Sequence, residues 1–299
     1  MSNPANKAPT HEHAALAGRG GTLALRRWEN PANSPLLFVH ATGMCASVYK
    51  QFLTPLAEDY DITAPDMRGH GRTSLPADPS TLRNWHIYAE DLEQYLLSLP
   101  QPKDGWRLMG HSMGAATSLL VAARGKVRVT RLVLIEPVII PDWTRWIAMS
   151  PLQPVLRKMF PIAKQAAQRR ATWPDRTTAL ETYGRKGFFR RWAPGVLEDY
   201  LEDGLQTQED EMRLSCAPAW ESATFAAQGQ NVWSAFDTVQ GSATQVHVFI
   251  AEHESTVMAQ ARDRLAARGI NTTFLPDSSH LVPMEKPDRL ATLVAKQLA

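Results

Sequence analysis

The chain has 299 residues, 44% of them hydrophobic, and its 32 Lys and Arg nearly balance 30 Asp and Glu, leaving a net charge of +2. That length and apolar share suffice for one elaborated domain with a large core. The balance gives no electrostatic reason to expect nucleic acid or an acidic membrane as partner, and no apolar run approaches the length of a membrane span. The first twenty residues carry no hydrophobic signal segment, and Cys45 and Cys216 lie far apart without metal-ligand spacing. The expectation is a cytoplasmic protein with reduced thiols and a small-molecule partner.

Residues 1–20, including His11 and His13, read as a flexible arm. Thr22 to Trp28 reads as an early strand and Leu36 to His40 as a fully buried one. A third strand, Ile62 to Ala64, runs into the turn Asp66-Met-Arg-Gly-His-Gly71. That turn lacks the spacing and the lysine of a phosphate loop, so Asp66 and Arg68 are assigned a bracing role. Asn84 to Leu99 carries helical periodicity with acidic residues on the far face. An apolar fragment, Trp106 to Met109, then leads into Gly110-His-Ser-Met-Gly114, and a helix-forming run, Ala115 to Ala123, leaves it. Further strands are read at Arg131 to Glu136, Val246 to Ile250 and Thr272 to Phe274, with a terminal helix opening near Pro287. Such strand–helix alternation predicts a mostly parallel sheet covered by helices on both faces.

Between residues 141 and 230 the texture changes to a stretch rich in tryptophan, arginine and proline, with Trp143, Trp146, Trp173, Trp192 and Trp220 among its aromatics. It reads as a helical insertion, and the core as 21–140 together with 231–299. The basic pairs Arg169-Arg170 and Arg190-Arg191 are read as solvated helix faces.

The spacing Gly110-x-Ser112-x-Gly114 places a serine on a tight turn between strand and helix. Glycines are needed there because the serine backbone is strained and a Cβ two positions to either side would strike the neighbouring strand or helix. A serine hydroxyl is a weak nucleophile, so the chain must also supply a base and an acid that orients it. His280, in Leu275-Pro-Asp-Ser-Ser-His-Leu-Val-Pro-Met284, leaves the last strand where its ring can swing over the sheet edge to Ser112. Two carboxylates compete for the third role. Glu136 ends the apolar strand Arg131-Leu-Val-Leu-Ile-Glu136, where an ionised group needs a partner, because desolvating it alone is expensive. Glu254 sits in the polar loop Ala251-Glu-His-Glu-Ser-Thr256. Glu136 is the preferred acid and Glu254 the alternative, while Glu252 and Asp277 are read as surface residues.

Three segments give the chain a resemblance to the α/β-hydrolase superfamily over most of its length. They are Leu36-Leu-Phe-Val-His-Ala-Thr-Gly43, Ala64-Pro-Asp-Met-Arg-Gly-His-Gly-Arg-Thr73, and the Ser112 turn taken with the His280 loop. The resemblance implies the α/β-hydrolase fold with an inserted helical cap at 141–230. It also implies an oxyanion hole made by the backbone amides of Thr42 and Met113, each donor contributing about 3 kcal/mol to transition-state stabilisation. The chain has His40-Ala41 where the family usually has His-Gly. In most relatives the acid follows the strand after the cap, which is the position of Glu254; some haloalkane dehalogenases take it from the strand that here ends at Glu136. A serine nucleophile speaks against dehalogenase and epoxide hydrolase chemistry, and the mechanism calls for no cofactor or metal.

The expected activity is hydrolysis of a small, largely apolar ester or lactone through an acyl-enzyme on Ser112. The alternatives are a carbon–carbon bond hydrolase or acyltransferase on the same residues, and a non-catalytic binding protein that retains the pocket.

Overall fold

The computed structural model describes residues 8–151 and 160–299, so the parts of the arm and cap expectations that fall on 1–7 and 152–159 lie outside the described residues. The strands are β1 (Thr10–Ala15), β2 (Thr22–Trp28), β3 (Ser34–Val39), β4 (Tyr60–Pro65), β5 (Trp106–His111), β6 (Val129–Ile135), β7 (Thr172–Trp173), β8 (Leu205–Gln208), β9 (Glu211–Leu214), β10 (Gln245–Ala251) and β11 (Asn271–Leu275). Eight of them form one sheet in the order β1-β2-β4-β3-β5-β6-β10-β11, parallel from β4 onward and antiparallel at the β1–β2 and β2–β4 pairings. The alternation predicted a mostly parallel sheet, and the α/β-hydrolase fold is the one that the resemblance implied.

The sheet interior follows from residue alternation. Leu37 and Val39 of β3 and Leu108 of β5 face one apolar layer, whereas Leu36, Phe38 and Met109 face the other. Because a strand turns successive side chains to opposite faces, such continuous apolar runs are stable only with helices on both sides. The first layer is closed by α1 (His86–Leu97) and α2 (Met113–Arg124). Gly125, in the left-handed region at φ 67°, stops α2.

Connections after β3 run first to one side, to β4, and then to the other, to β5. The chain direction across the sheet therefore reverses between β3 and β5, and their carboxyl ends open a crevice. Ligands of open parallel sheets bind at such a switch point. Here the two loops that begin there are His40 to Gly43 and the turn at Ser112.

Two expectations need correction. The segment before residue 20 is not a loose arm throughout, because Thr10–Ala15 pairs in six-residue register with Thr22 to Arg27. Its sequence, Thr-His-Glu-His-Ala-Ala, has none of the apolar alternation that marks a half-buried strand, but an edge strand needs little of it. The strand is also tied down from outside: His11 Nε2 lies 3.0 Å from Arg26 Nη2, which pairs with Asp203 at 2.6 Å. The insertion, in turn, is not purely helical. It holds α3 (Trp143–Met149), α4 (Pro161–Ala167), α5 (Arg176–Gly184), α6 (Val196–Gly204) and α7 (Pro218–Ala226), together with a small antiparallel sheet, β7-β9-β8. Its strands have at most four residues, too short for a period of two to stand out. The chain rejoins the core at α8 (Val232–Gln240), which packs on α2; α9 (Ala259–Ala267) and α10 (Pro287–Leu298) follow.

Candidate active site

Ser112 stands between β5 and α2 with φ 58° and ψ −118°, a region that side chains other than glycine rarely occupy. A Cβ on Gly110 would run into the backbone of Gly114, and one on Gly114 into the carbonyls of Val39 and His40. Both glycines are thus required by close backbone approach, as the spacing predicts. The strained serine is held by its own backbone: its N–H donates to the Ile135 carbonyl at 3.0 Å and its carbonyl accepts from Ala116 at 3.2 Å.

His280 follows β11 and reaches back over the sheet edge. Its Nε2 lies 3.0 Å from Ser112 Oγ, and its Nδ1 lies 3.0 Å from Glu136 Oε2. An ionised carboxylate can only accept, so Nδ1 carries the proton and Nε2 is left to accept from the serine hydroxyl.

Glu136 is fully buried and itself sits at φ 49°. Its Oε1 accepts from the Ala251 amide at 2.6 Å and the Ser255 hydroxyl at 2.8 Å, and its Oε2 from the Thr256 amide at 3.0 Å as well as from His280. Burial opposes the charge, yet the hydrogen bond and charge of His280, with the Ala251 and Ser255 donors, hold the carboxyl below its ordinary range. Glu254 is exposed on the same loop that supplies Ser255 and Thr256, and His280 Nδ1 is already taken by Glu136. The structure therefore brings Ser112, His280 and Glu136 together and leaves Glu254 outside. Glu252 and Asp277 are exposed, as read, with Glu252 accepting from the Asp277 amide at 2.7 Å.

The loop after β3 has three successive amides, two of them committed. Ala41 N–H donates to Tyr49 Oη at 3.0 Å, and Gly43 N–H to His70 Nε2 at 3.1 Å. Among the described residues Thr42, buried between them, is the amide left over; Met113, the first residue of α2, presents an N–H with no helical carbonyl one turn back to accept it. The two histidines flanking this loop are neutral. Burial pushes His40 down to about 3 and His70 to about 4, and each uses one ring nitrogen to accept a backbone N–H, His40 from Met67 at 2.8 Å.

The Gly-rich turn does brace this region. Asp66 Oδ1 accepts from the Ala46 amide at 2.7 Å and Oδ2 from the Arg72 amide at 2.8 Å, while Arg68 pairs with Asp91 of α1 through two contacts at 2.9 and 2.8 Å. The inserted segment is anchored on the same loops. Arg169 grips Glu221 at 2.6 Å and donates to the hydroxyls of Tyr183 and Tyr200, and Tyr200 donates to the Gly43 carbonyl at 3.2 Å. Arg169 is thus not part of a solvated face, a correction to its reading with Arg170. Arg191 is exposed, as read, and pairs with the half-buried Glu285 at 3.0 Å. Only three-dimensional proximity reveals these partners. The buried Tyr49 and His111 and the half-buried Ser255 and Thr256 also escaped the sequence reading, because nothing about them in a linear chain differs from ordinary core or loop residues.

With this geometry in place, comparison with known proteins gives a consistent picture. The model of the alpha/beta hydrolase family matches residues 36–293. The chain belongs to this family. It is 28% identical over 140 residues to the monoglyceride lipase of Homo sapiens, covering 45% of this chain and 46% of that protein, so the match spans about half of each. It is 23% identical over 278 residues to a 3-hydroxybutyrate-oligomer hydrolase of Cupriavidus necator, covering 90% of both. Among solved structures, E-2-(acetamidomethylene)succinate hydrolase superposes with a TM-score of 0.77 at 19% identity, over 97% of this chain and 99% of that one. The thioesterase domain from the curacin biosynthetic pathway gives 0.77 at 16%, over 97% and 100%. At these identities the structural likeness speaks for the fold alone. Among the described residues no helix is long and apolar enough to cross a membrane.

Proposed function

We propose that the protein is a serine hydrolase that cleaves a small, largely apolar carboxylic ester or lactone. The observation that carries this reading is the unbroken hydrogen-bonded chain from Ser112 Oγ through His280 to Glu136, buried at one end and reaching the crevice at the other. His280 takes the hydroxyl proton as Ser112 Oγ bonds to the substrate carbonyl carbon. The developing oxyanion is received by the amides of Thr42 and Met113, with the positive end of the α2 dipole behind it. Collapse expels the alkoxide, which His280 protonates, and leaves an acyl-enzyme. Water then attacks that ester with His280 again as base, releasing the acid and the serine. Glu136 keeps the imidazole in the required tautomer and stabilises the imidazolium in both steps.

The inserted segment, 141–230, is proposed as a cap over this crevice. Its Tyr200, Arg169 and Glu221 meet the loop that carries Thr42, and Trp220 donates to the Arg68 carbonyl at 2.9 Å. Excluding water there strengthens every electrostatic contact within. The names of two relatives, a monoglyceride lipase and a 3-hydroxybutyrate-oligomer hydrolase, are in keeping with ester cleavage.

Labelling with a fluorophosphonate probe tests the reading. The native chain takes the label and Ser112→Ala does not, and the native chain turns over short p-nitrophenyl esters or lactones. A folded native chain that takes no label overturns it in favour of a non-catalytic binding protein. Labelling with turnover of vinylogous diketones instead of esters moves it to carbon–carbon bond hydrolysis.

A further inference from the structure

The residue before the nucleophile, His111, is fully buried, takes no part in the chemistry above, and yet touches both halves of it. Its Nε2 lies 2.7 Å from the carbonyl oxygen of His280, and its Nδ1 lies 2.8 Å from Tyr49 Oη. A carbonyl can only accept, so Nε2 carries the proton. Burial holds the ring well below its ordinary pKa, so it is neutral and Nδ1 must accept, which makes the Tyr49 hydroxyl the donor. The oxygen of that hydroxyl in turn accepts the Ala41 N–H at 3.0 Å. The result is a directed chain from the Ala41 amide through Tyr49 and His111 to the His280 carbonyl, with the two side chains fully buried.

The ends of this chain matter more than its middle. Ala41 is the neighbour of Thr42, and its carbonyl is the other half of the peptide that bears the Thr42 amide. At the far end, the His280 backbone carries the ring that must meet Ser112. Both are loops, and an error of about 1 Å in such a constellation costs on the order of a hundredfold in rate. Resting on the serine-hydrolase reading above, we propose that Tyr49 and His111 are positioning residues, which hold the Thr42 amide and the His280 ring in mutual register around Ser112.

The test uses the full chain and the saturable inactivation by a fluorophosphonate, in which Ser112 Oγ bonds to phosphorus, fluoride leaves and His280 takes the proton. Saturation separates probe affinity from the maximal rate of attack. Tyr49→Phe removes one hydroxyl and keeps the ring against Phe38, 4.5 Å away between centroids. His111→Gln keeps a donor toward the His280 carbonyl and replaces the rigid ring acceptor for Tyr49 with a flexible carboxamide oxygen. Each variant lowers the maximal rate roughly ten- to a hundredfold with probe affinity unchanged, the size expected when buried partners lose one hydrogen bond felt in the transition state. Both changes act on the same Tyr49–His111 link, so the double variant is no slower than the slower single one.

A folded Tyr49→Phe that reacts at the native rate overturns the proposal. Additive losses, or a loss confined to probe affinity, overturn it as well. If Tyr49→Phe does not fold, His111→Gln alone decides by the same two constants. A native chain that takes no label at Ser112 instead brings down the hydrolase reading, and this inference with it.

Discussion

Among the described residues three glutamates have positive φ, and two of them, Glu136 and Glu254, share a place on the sheet but not their surroundings. Glu136 and Glu254 lie at φ 49° and φ 51°, each just beyond the end of a parallel strand in the same half of the sheet, β6 and β10. Glu136 is fully buried with four donors on its two oxygens, whereas Glu254 is exposed. The loop that holds Glu254 serves the other carboxylate, through Ser255 and Thr256. The contrast teaches that position on the sheet does not by itself choose the orienting acid. What chooses is a buried cradle of donors aimed at one carboxylate, which offsets the desolvation that would otherwise neutralise it.

The largest break in this comparison comes from Glu136→Ala. On the proposed mechanism it lowers kcat by about 10³- to 10⁴-fold, measured on whichever short ester the native chain turns over best, because His280 loses both its tautomer control and its counter-charge. Retention of more than a tenth of native kcat would transfer the role away from Glu136. Ser255→Ala is the intermediate case. It deletes one charge-assisted donor, leaves the carboxylate in place, and costs about 1–2 kcal/mol of unfolding free energy with a less than tenfold loss of kcat.

Acid titration sharpens the same point. Glu136 is held below its ordinary value of 4.5, so its contribution to stability is fully present above that pH and is lost as pH falls through the folded-state value. Urea unfolding between pH 7 and 3 therefore shows a steeper acid limb in the native chain than in Glu136→Ala. Parallel limbs would mean that the carboxylate gains nothing from its cradle.

How much of this was legible in the chain depends on whether the signal is local. The serine turn could be read because the two glycines it needs fall within five residues; the turn itself forbids a Cβ at Gly110, while the Val39 and His40 carbonyls forbid one at Gly114. The buried strands could be read because continuous apolar runs need both sheet faces covered. The N-terminal edge strand could not, since Arg26, the partner that holds His11, is itself held by Asp203 from the insertion. Arg169 looked like a surface charge for the same reason: Glu221, Tyr183 and Tyr200, which bury it, are 14 to 52 residues away. The preference for Glu136 over Glu254 rested on the cost of an unpaired carboxylate ending an apolar strand, an argument about one residue and its flanks. The Ser255 and Thr256 donors that complete it lie about 120 residues on, where no local pattern marks them.

The smallest expected effect separates backbone strain from chemistry. A non-glycine residue in the left-handed region costs about 1 kcal/mol, and glycine removes that strain while giving back part of the gain as unfolded-state entropy. At the exposed Glu254 nothing else is lost, so Glu254→Gly leaves kcat within twofold and raises stability by about 0.5 kcal/mol in denaturant unfolding. At Glu136 the same relief is swamped, because Glu136→Gly strands the Ala251 and Thr256 amides and the Ser255 hydroxyl in a buried site and frees His280 to rotate. Opposite signs for one substitution at two nearly identical φ values would show that the strain at Glu136 is tolerated for what its side chain holds. A destabilised Glu254→Gly would instead mean that its loop depends on that side chain, and the two glutamates would be more alike than the hydrogen bonds indicate.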